Sequence, residues 1–224
     1  TQQFLFNIYT ITEDIDTFVS FETMNNRGKP LSHLELLKNR LIYLSTKLSD
    51  DDHEKNSLRK RINECWKSIY HNLGRNKDNP LDDDLFLVNH FMIYFGNELW
   101  TKEEFLKRNV RLPHFYHFQR DEYANYLLEK KFTTNNINQN NIALTDIDKY
   151  VRSLQASVET WYNIFNPKKS NYDFETKNWL DKLNRLGNQR TAPLVMTFFQ
   201  FEQNKAKRLE LLKAIERLIF AILL

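Results

Sequence analysis

The sequence predicts a mainly α fold, a multi-helix bundle with at most one or two short strands at the N-terminus, on three observations. Only 4 of the 224 residues are glycine, against roughly 7% in average proteins, which leaves too little material for Gly-rich phosphate loops, dinucleotide folds or turn-dense β architectures. Apolar residues recur at helical spacing in one segment after another, and several of those segments open on Ser, Thr or Asp, the residues that cap helix N-termini. With 41% hydrophobic, 14% aromatic and 27% charged residues, the chain is long enough for one large or two small domains with a packed core, and disorder is excluded as its general state.

The elements follow in order. Phe4-Leu5-Phe6-Asn7-Ile8-Tyr9 is a short strand-favouring run, which needs a partner because a lone strand is not stable. Thr12, Glu13 and Asp14 make an acidic helix start, with Ile15, Phe18, Val19, Phe21 and Met24 on the apolar face of a helix to about Asn25. Asn26-Arg27-Gly28-Lys29-Pro30 is a turn. Ser32 and Glu35 form a capping box with Leu31 and Leu36 as its hydrophobic staple, and Leu34, Leu37, Leu41, Leu44 and Leu48 give the helix that follows one apolar stripe. Asp50-Asp51-Asp52 begins a third helix, with Leu58, Ile62, Cys65, Trp66, Ile69 and Tyr70 as its buried set, ending before Gly74. After a polar loop from Arg75 to Pro80, Asp82-Asp83-Asp84 opens a fourth helix through Phe91 and Phe95 to Gly96.

Thr101 and Glu104 repeat the capping box, with Trp100 and Phe105 as staple. Residues 109–119, holding Pro113 and His114-Phe115-Tyr116-His117-Phe118, read as an extended connection, and a helix near Asp121 to Phe132 follows. Thr133 to Asn141 is a polar connector of low complexity and the best internal boundary. Ile147, Val151, Leu154, Val158, Trp161 and Phe165 then spell a long amphipathic helix ended by Asn166-Pro167. Two or three more helices complete the chain, one started by Thr191 and Pro193 and the last preceded by Asn204. That last helix runs into the apolar Leu218–Leu224 without a cap, an end that wants a partner surface or its own core. Both ends read as cuts through a longer polypeptide.

Composition bounds the setting as well. Cys65 is the single cysteine, so no intramolecular disulfide and no cysteine zinc quartet can form, which points to the reducing cytoplasm. No stretch approaches the ~18 apolar residues of a membrane span, and the basic-then-apolar order of a signal peptide is absent. The net charge of +3 is uneven: residues 1–100 carry 12 basic and 15 acidic side chains, residues 101–224 carry 20 and 14. A basic second half is compatible with a nucleic-acid partner, and equally with a solvated helical exterior.

Special residues crowd one helix–turn–helix corner, Phe21 to Ser32. Gly28 permits the positive φ of a tight turn, Pro30 stiffens its exit, and Asn25 or Asn26 can end the preceding helix. Architecture does not demand Arg27, Lys29 or Lys38 there. With unpaired amides at the start of the Ser32 helix they would make an anion-binding corner suited to phosphate; the competing reading is a solvated turn with Arg27 paired to Glu22 or Glu35. Elsewhere, His114-x-x-His117 lacks a helix and further ligands for a metal site, Cys65 sits on an apolar face as a small core residue, and the two Asp triplets lie where helices begin and read as caps. Most of the aromatic residues fall at helical spacing and belong to the core.

The pattern Phe21-x-x-x-Asn25-x-x-Gly28-x-x-Leu31, continued by Leu36-Leu37-Lys38-Asn39, resembles the third motif in the N-terminal domain of GmrSD-type restriction endonucleases, the modification-dependent type IV class with relatives in phage defence. The resemblance covers about residues 4–48; beyond it, Arg190-Thr191-Ala192-Pro193-Leu194 and the helical remainder are similar only loosely. It implies residues 1–48 as the tail of a ParB/sulfiredoxin-like nucleotide-binding α/β domain, 49–132 as the first part of a helical region, and 145–224 as its second part, leading toward a nuclease domain. It further implies a parent hydrolase that uses a nucleoside triphosphate to cut modified foreign DNA, with divalent metal confined to the nuclease domain, and a fragment inactive alone. The family's Asp-Gly-Gln-Gln-Arg motif and an HNH nuclease motif are both missing from these residues, so neither catalytic centre is complete. By position, Asn25, Arg27 and Gly28, with Lys38 more weakly, would position nucleotide rather than break bonds. Two other classes remain open: a catalytically inert helical scaffold that self-associates or binds a protein through Leu218–Leu224, and direct DNA binding through the basic second half.

Overall fold

Ser32 opens the first described helix by the local chemistry its sequence spells out. Its hydroxyl accepts from the Glu35 amide at 3.3 Å while the Glu35 carboxylate accepts from the Ser32 amide at 3.2 Å, a complete capping box. In the computed structural model, which describes residues 31–99, 122–187 and 191–223, this helix is α1 (His33–Lys47). Leu34, Leu37, Leu41 and Leu44 are fully buried along its one apolar stripe. The strand expected at Phe4–Tyr9, the helix to Asn25, the Asn26–Pro30 turn, the Thr101 capping box and the His114–His117 segment lie outside the described residues.

Asp51 caps α2 (Asp52–Gly74) by accepting from the Glu54 amide at 2.8 Å. Leu58, Ile62, Cys65, Trp66 and Ile69 are buried as their spacing predicts. Tyr70 is a correction: it is 40% exposed, because the buried stripe passes through Trp66, Ile69 and Leu73 and leaves Tyr70 at its margin. Asp82 caps α3 (Asp83–Leu99) through the Leu85 amide at 2.6 Å. Gly96 does not stop this helix, which runs on to Leu99; a glycine weakens a helix interior by about 1 kcal/mol but ends it only where φ turns positive.

The next helix covers 122–125 and continues in π form over Tyr126–Lys131, closing with the Phe132 amide on the Leu127 carbonyl at 2.9 Å. We call it α4. The Thr/Asn-rich stretch after it is not a plain connector. Thr133 caps α5 (Thr134–Asn138), and the Asn136 side chain donates to the carbonyls of Lys130 and Lys131 at 2.6 and 2.7 Å, satisfying the end of α4. Short polar side chains read as loop formers because they bond nearby backbone, and here that bonding builds two helix ends.

Helix α6 (Leu144–Phe165) carries the longest buried stripe, from Ile147 through Trp161 to Ile164. Its Asp146 accepts from the Ala143 amide at 2.9 Å, half of a capping box whose other half alanine cannot supply. It ends at Asn166, before a short 3-10 turn at Pro167–Lys169. Asp173 then caps α7 (Phe174–Arg185), which leads through Gly187 at φ 86° toward α8 (Ala192–Phe201) and α9 (Lys205–Leu223).

Among the described residues every regular element is helical, so the fold is mainly α, a multi-helix bundle. The most extensive packing is between α2 and α6, where Cys65 Sγ donates to the Val151 carbonyl at 3.3 Å and Arg61 pairs with Asp148 at the edge. Trp66 ties α2 to α1 by donating Nε1 to the Leu34 carbonyl at 3.1 Å. One apolar cluster extends from Leu34 to Ile215 and draws on both sides of the 133–141 segment. At the far end Leu209, Leu212 and Ile215 are buried, whereas Leu218 and Phe220 are 50% and 47% exposed. No helix among the described residues is long and apolar enough to cross a membrane.

Candidate functional site

The predicted corner leads into α1, and the described part of it is the junction of α1, α3 and α4. Asn25, Arg27 and Gly28 lie outside the described residues. Lys38 stands on α1, half-buried, about one and a half turns beyond Ser32. Two positions on, Arg40 is buried between α1 and α4 and faces Glu129 at 3.7 Å.

Three of the amides expected to be free for phosphate are engaged within the protein. The Leu34 amide donates to Asp84 Oδ1 at 3.2 Å, the Glu35 amide to Ser32 Oγ, and the Leu36 amide to the Ser32 carbonyl at 3.0 Å. A helix N-terminus favours negative charge, and here a carboxylate of the protein supplies it. Asp84 is available for this because Asp82 already caps α3; the third acid of the triplet, read as another cap, crosses to the neighbouring helix instead. His33 completes the junction: its Nδ1 lies 2.8 Å from Tyr123 Oη and 3.5 Å from Asp84 Oδ2.

The electrostatics of this junction are acidic. Burial raises the Asp84 carboxyl, with Asp83 and Asp82 adding to the rise, while His33 and the Leu34 amide pull the other way. Tyr70, beside Glu35, Asp83 and Asp84, is pushed up to about 12, first by burial and then by those three carboxylates. Chemically, the Asp84–His33–Tyr123 arrangement holds an imidazole by one nitrogen between a carboxylate and a phenol, which sets ring orientation. Sequence reasoning missed His33, Asp84 and Tyr123 as a set, since they come from three helices; the surplus acid in Asp82–Asp84 was the one legible sign.

The remaining candidates resolve locally. Burial lifts Cys65 to about 12, and its Sγ is spent on Val151, so it is a core residue rather than a nucleophile. Among the described residues no group of three or more His, Cys, Asp or Glu is placed to hold a metal. In the basic second half many cations sit against carboxylates: Lys205 on Asp173 at 3.1 Å, Lys207 on Glu202 at 3.1 Å, Lys168 on Asp181 at 3.4 Å, and Lys182 paired with Glu216.

Comparison of the chain with protein-family models, with curated proteins and with solved structures finds no match.

Proposed function

We propose that this chain is part of a nucleotide-dependent restriction endonuclease of the GmrSD type, directed at modified foreign DNA, and that it supplies the end of the nucleotide-binding domain and the helical region beyond it. The observation that carries the reading is the Phe21…Asn25…Gly28…Leu31 pattern followed at once by a capped helix bearing Leu36-Leu37-Lys38-Asn39. With the Leu34, Glu35 and Leu36 amides engaged inside the protein, nucleotide recognition falls to side chains: Asn25, Arg27 and, more distantly, Lys38. Bond breaking belongs to parts of the parent protein beyond these residues, with divalent metal in its nuclease domain.

Titration of the full-length protein with nucleoside triphosphates tests this. The intact protein binds nucleotide, and Asn25→Ala or Arg27→Ala weakens binding with little change in thermal stability. Unchanged affinity in both variants contradicts the corner's role.

A second reading, an inert helical scaffold or self-association module, is favoured by one observation: Leu218 and Phe220 remain about half exposed near the end of α9. Concentration-dependent association without nucleotide affinity, abolished by Phe220→Ser, decides for it.

A further inference from the structure

Among the described residues His90, in the middle of α3, is a histidine fully removed from water. Its Nε2 lies 2.9 Å from Ser153 Oγ of α6. The ring stacks on Tyr94 at 5.8 Å, meets Tyr150 of α6 edge-on at 5.3 Å, and has Phe86 one turn earlier at 6.3 Å. Its Nδ1 and the Tyr150 hydroxyl are both buried without a hydrogen-bond partner. An apolar ring at this position would avoid that unpaired nitrogen, so packing alone does not account for an imidazole in the seam.

The groups around it offer no counter-charge. From α3 the titratable neighbour is Tyr94 and from α6 it is Tyr150; beyond Tyr150 stand Cys65 of α2 and Tyr123 of α4. These four are uncharged at neutral pH, and burial raises Cys65 and Tyr150 further. Helix α8, which packs on both α3 and α6, brings the uncharged Ala192, Val195, Met196 and Phe199 to the core. The carboxylates Asp82, Asp83 and Asp84 sit at the first turn of α3, where α1 contributes His33 and Glu35.

We propose that His90 is an acid-sensitive latch between α3 and α6, closed while its imidazole is neutral and released when the opened seam takes up a proton that the closed seam refuses. The proton comes from solvent and binds an imidazole nitrogen; no other bond changes. Burial lowers the His90 pKa from 6.5 to about 3 in the closed seam, so the difference in bound protons lies between those two values. Above pH 6.5 neither state carries the proton and the latch has no pH dependence. Below it, the open state gains about tenfold per pH unit. Because Asp84 lies on the same helix, opening also withdraws it from His33 and the Leu34 amide at the start of α1.

Hydrogen exchange of the full chain between pH 7.5 and 4.5, corrected for intrinsic rates, reads this directly. The opening constants of α3 amides rise about tenfold per pH unit below 6.5, and in His90→Phe that slope disappears. An α3 opening constant that does not change with pH, or a slope equal in His90→Phe, overturns the latch. If His90→Phe does not fold, an NMR titration of the wild-type protein decides. A His90 ring that stays neutral in the closed protein down to pH 4.5 supports the latch, and one that titrates near 6.5 with α3 still protected overturns it.

Discussion

Asp84 does for α1 what a bound anion does at other helix N-termini: it accepts from a first-turn amide and leaves that amide unavailable to anything else. The same carboxylate stands 3.5 Å from His33, so removing it has two effects at once. Asp84→Ala strips the acceptor from the Leu34 amide and is expected to lower stability by about 1–3 kcal/mol. Asp84→Asn keeps an acceptor oxygen at that position and costs less. Denaturant midpoints of the two variants, measured side by side, check both the size and the order. Equal midpoints in Asp84→Ala and wild type would show that the contact contributes nothing.

At the scale of elements, helix ends were the most legible part of the sequence. Ser32 with Glu35, and Asp51 with Glu54, act over three residues, so their geometry follows once a helix forms. Asp173 is a further cap and a testable one. Slight burial alone would raise its carboxyl, but hydrogen bonds from Thr176 and Lys205 outweigh this and hold it at about 2. Its contribution to α7 is therefore complete above the ordinary aspartate range near 4 and is lost as pH falls toward 2. Asp173→Asn is expected to remove that part of the acid sensitivity, and circular dichroism melts between pH 5 and 2 would reveal it. What sequence reasoning did not find are ends satisfied from afar. Arg208 of α9 donates to the Phe199 and Glu202 carbonyls at 2.9 and 2.6 Å and so closes α8, and Asn136 closes α4 from five and six residues on. Such partners are chosen by packing between elements, which no local spacing encodes. Tyr70 belongs with them: periodicity placed it on the buried face, but where that face stops depends on the neighbouring helices.

For the whole molecule, the continuous apolar stripes of α1, α2 and α6 made the mainly α architecture readable, since a stripe four or five turns long must be buried against another helix. Which helices pair was not readable. The α2–α6 seam joins residues some ninety positions apart. Leu154, fully buried on α6, probes this core: Leu154→Ala is expected to cost about 2–5 kcal/mol. Because one apolar cluster runs from Leu34 to Ile215, tryptophan fluorescence and far-ultraviolet dichroism should report that loss in a single shared transition, whereas two separated transitions would show independent units.

The candidate site was legible only in part. The capped start of the Ser32 helix was evident, but its occupation by Asp84 was not, because that contact spans fifty residues. Under the proposed function, with the Leu34, Glu35 and Leu36 amides engaged within the protein, nucleotide recognition would fall to the motif's side chains. Calorimetric titration of the full-length protein with nucleoside triphosphate, in wild type and in Arg27→Ala, tests that claim most directly. Saturable binding to wild type is expected, with an affinity at least about tenfold weaker in the variant, the size of losing one charge-assisted contact to phosphate. Equal affinities, or no binding to either protein, would contradict it.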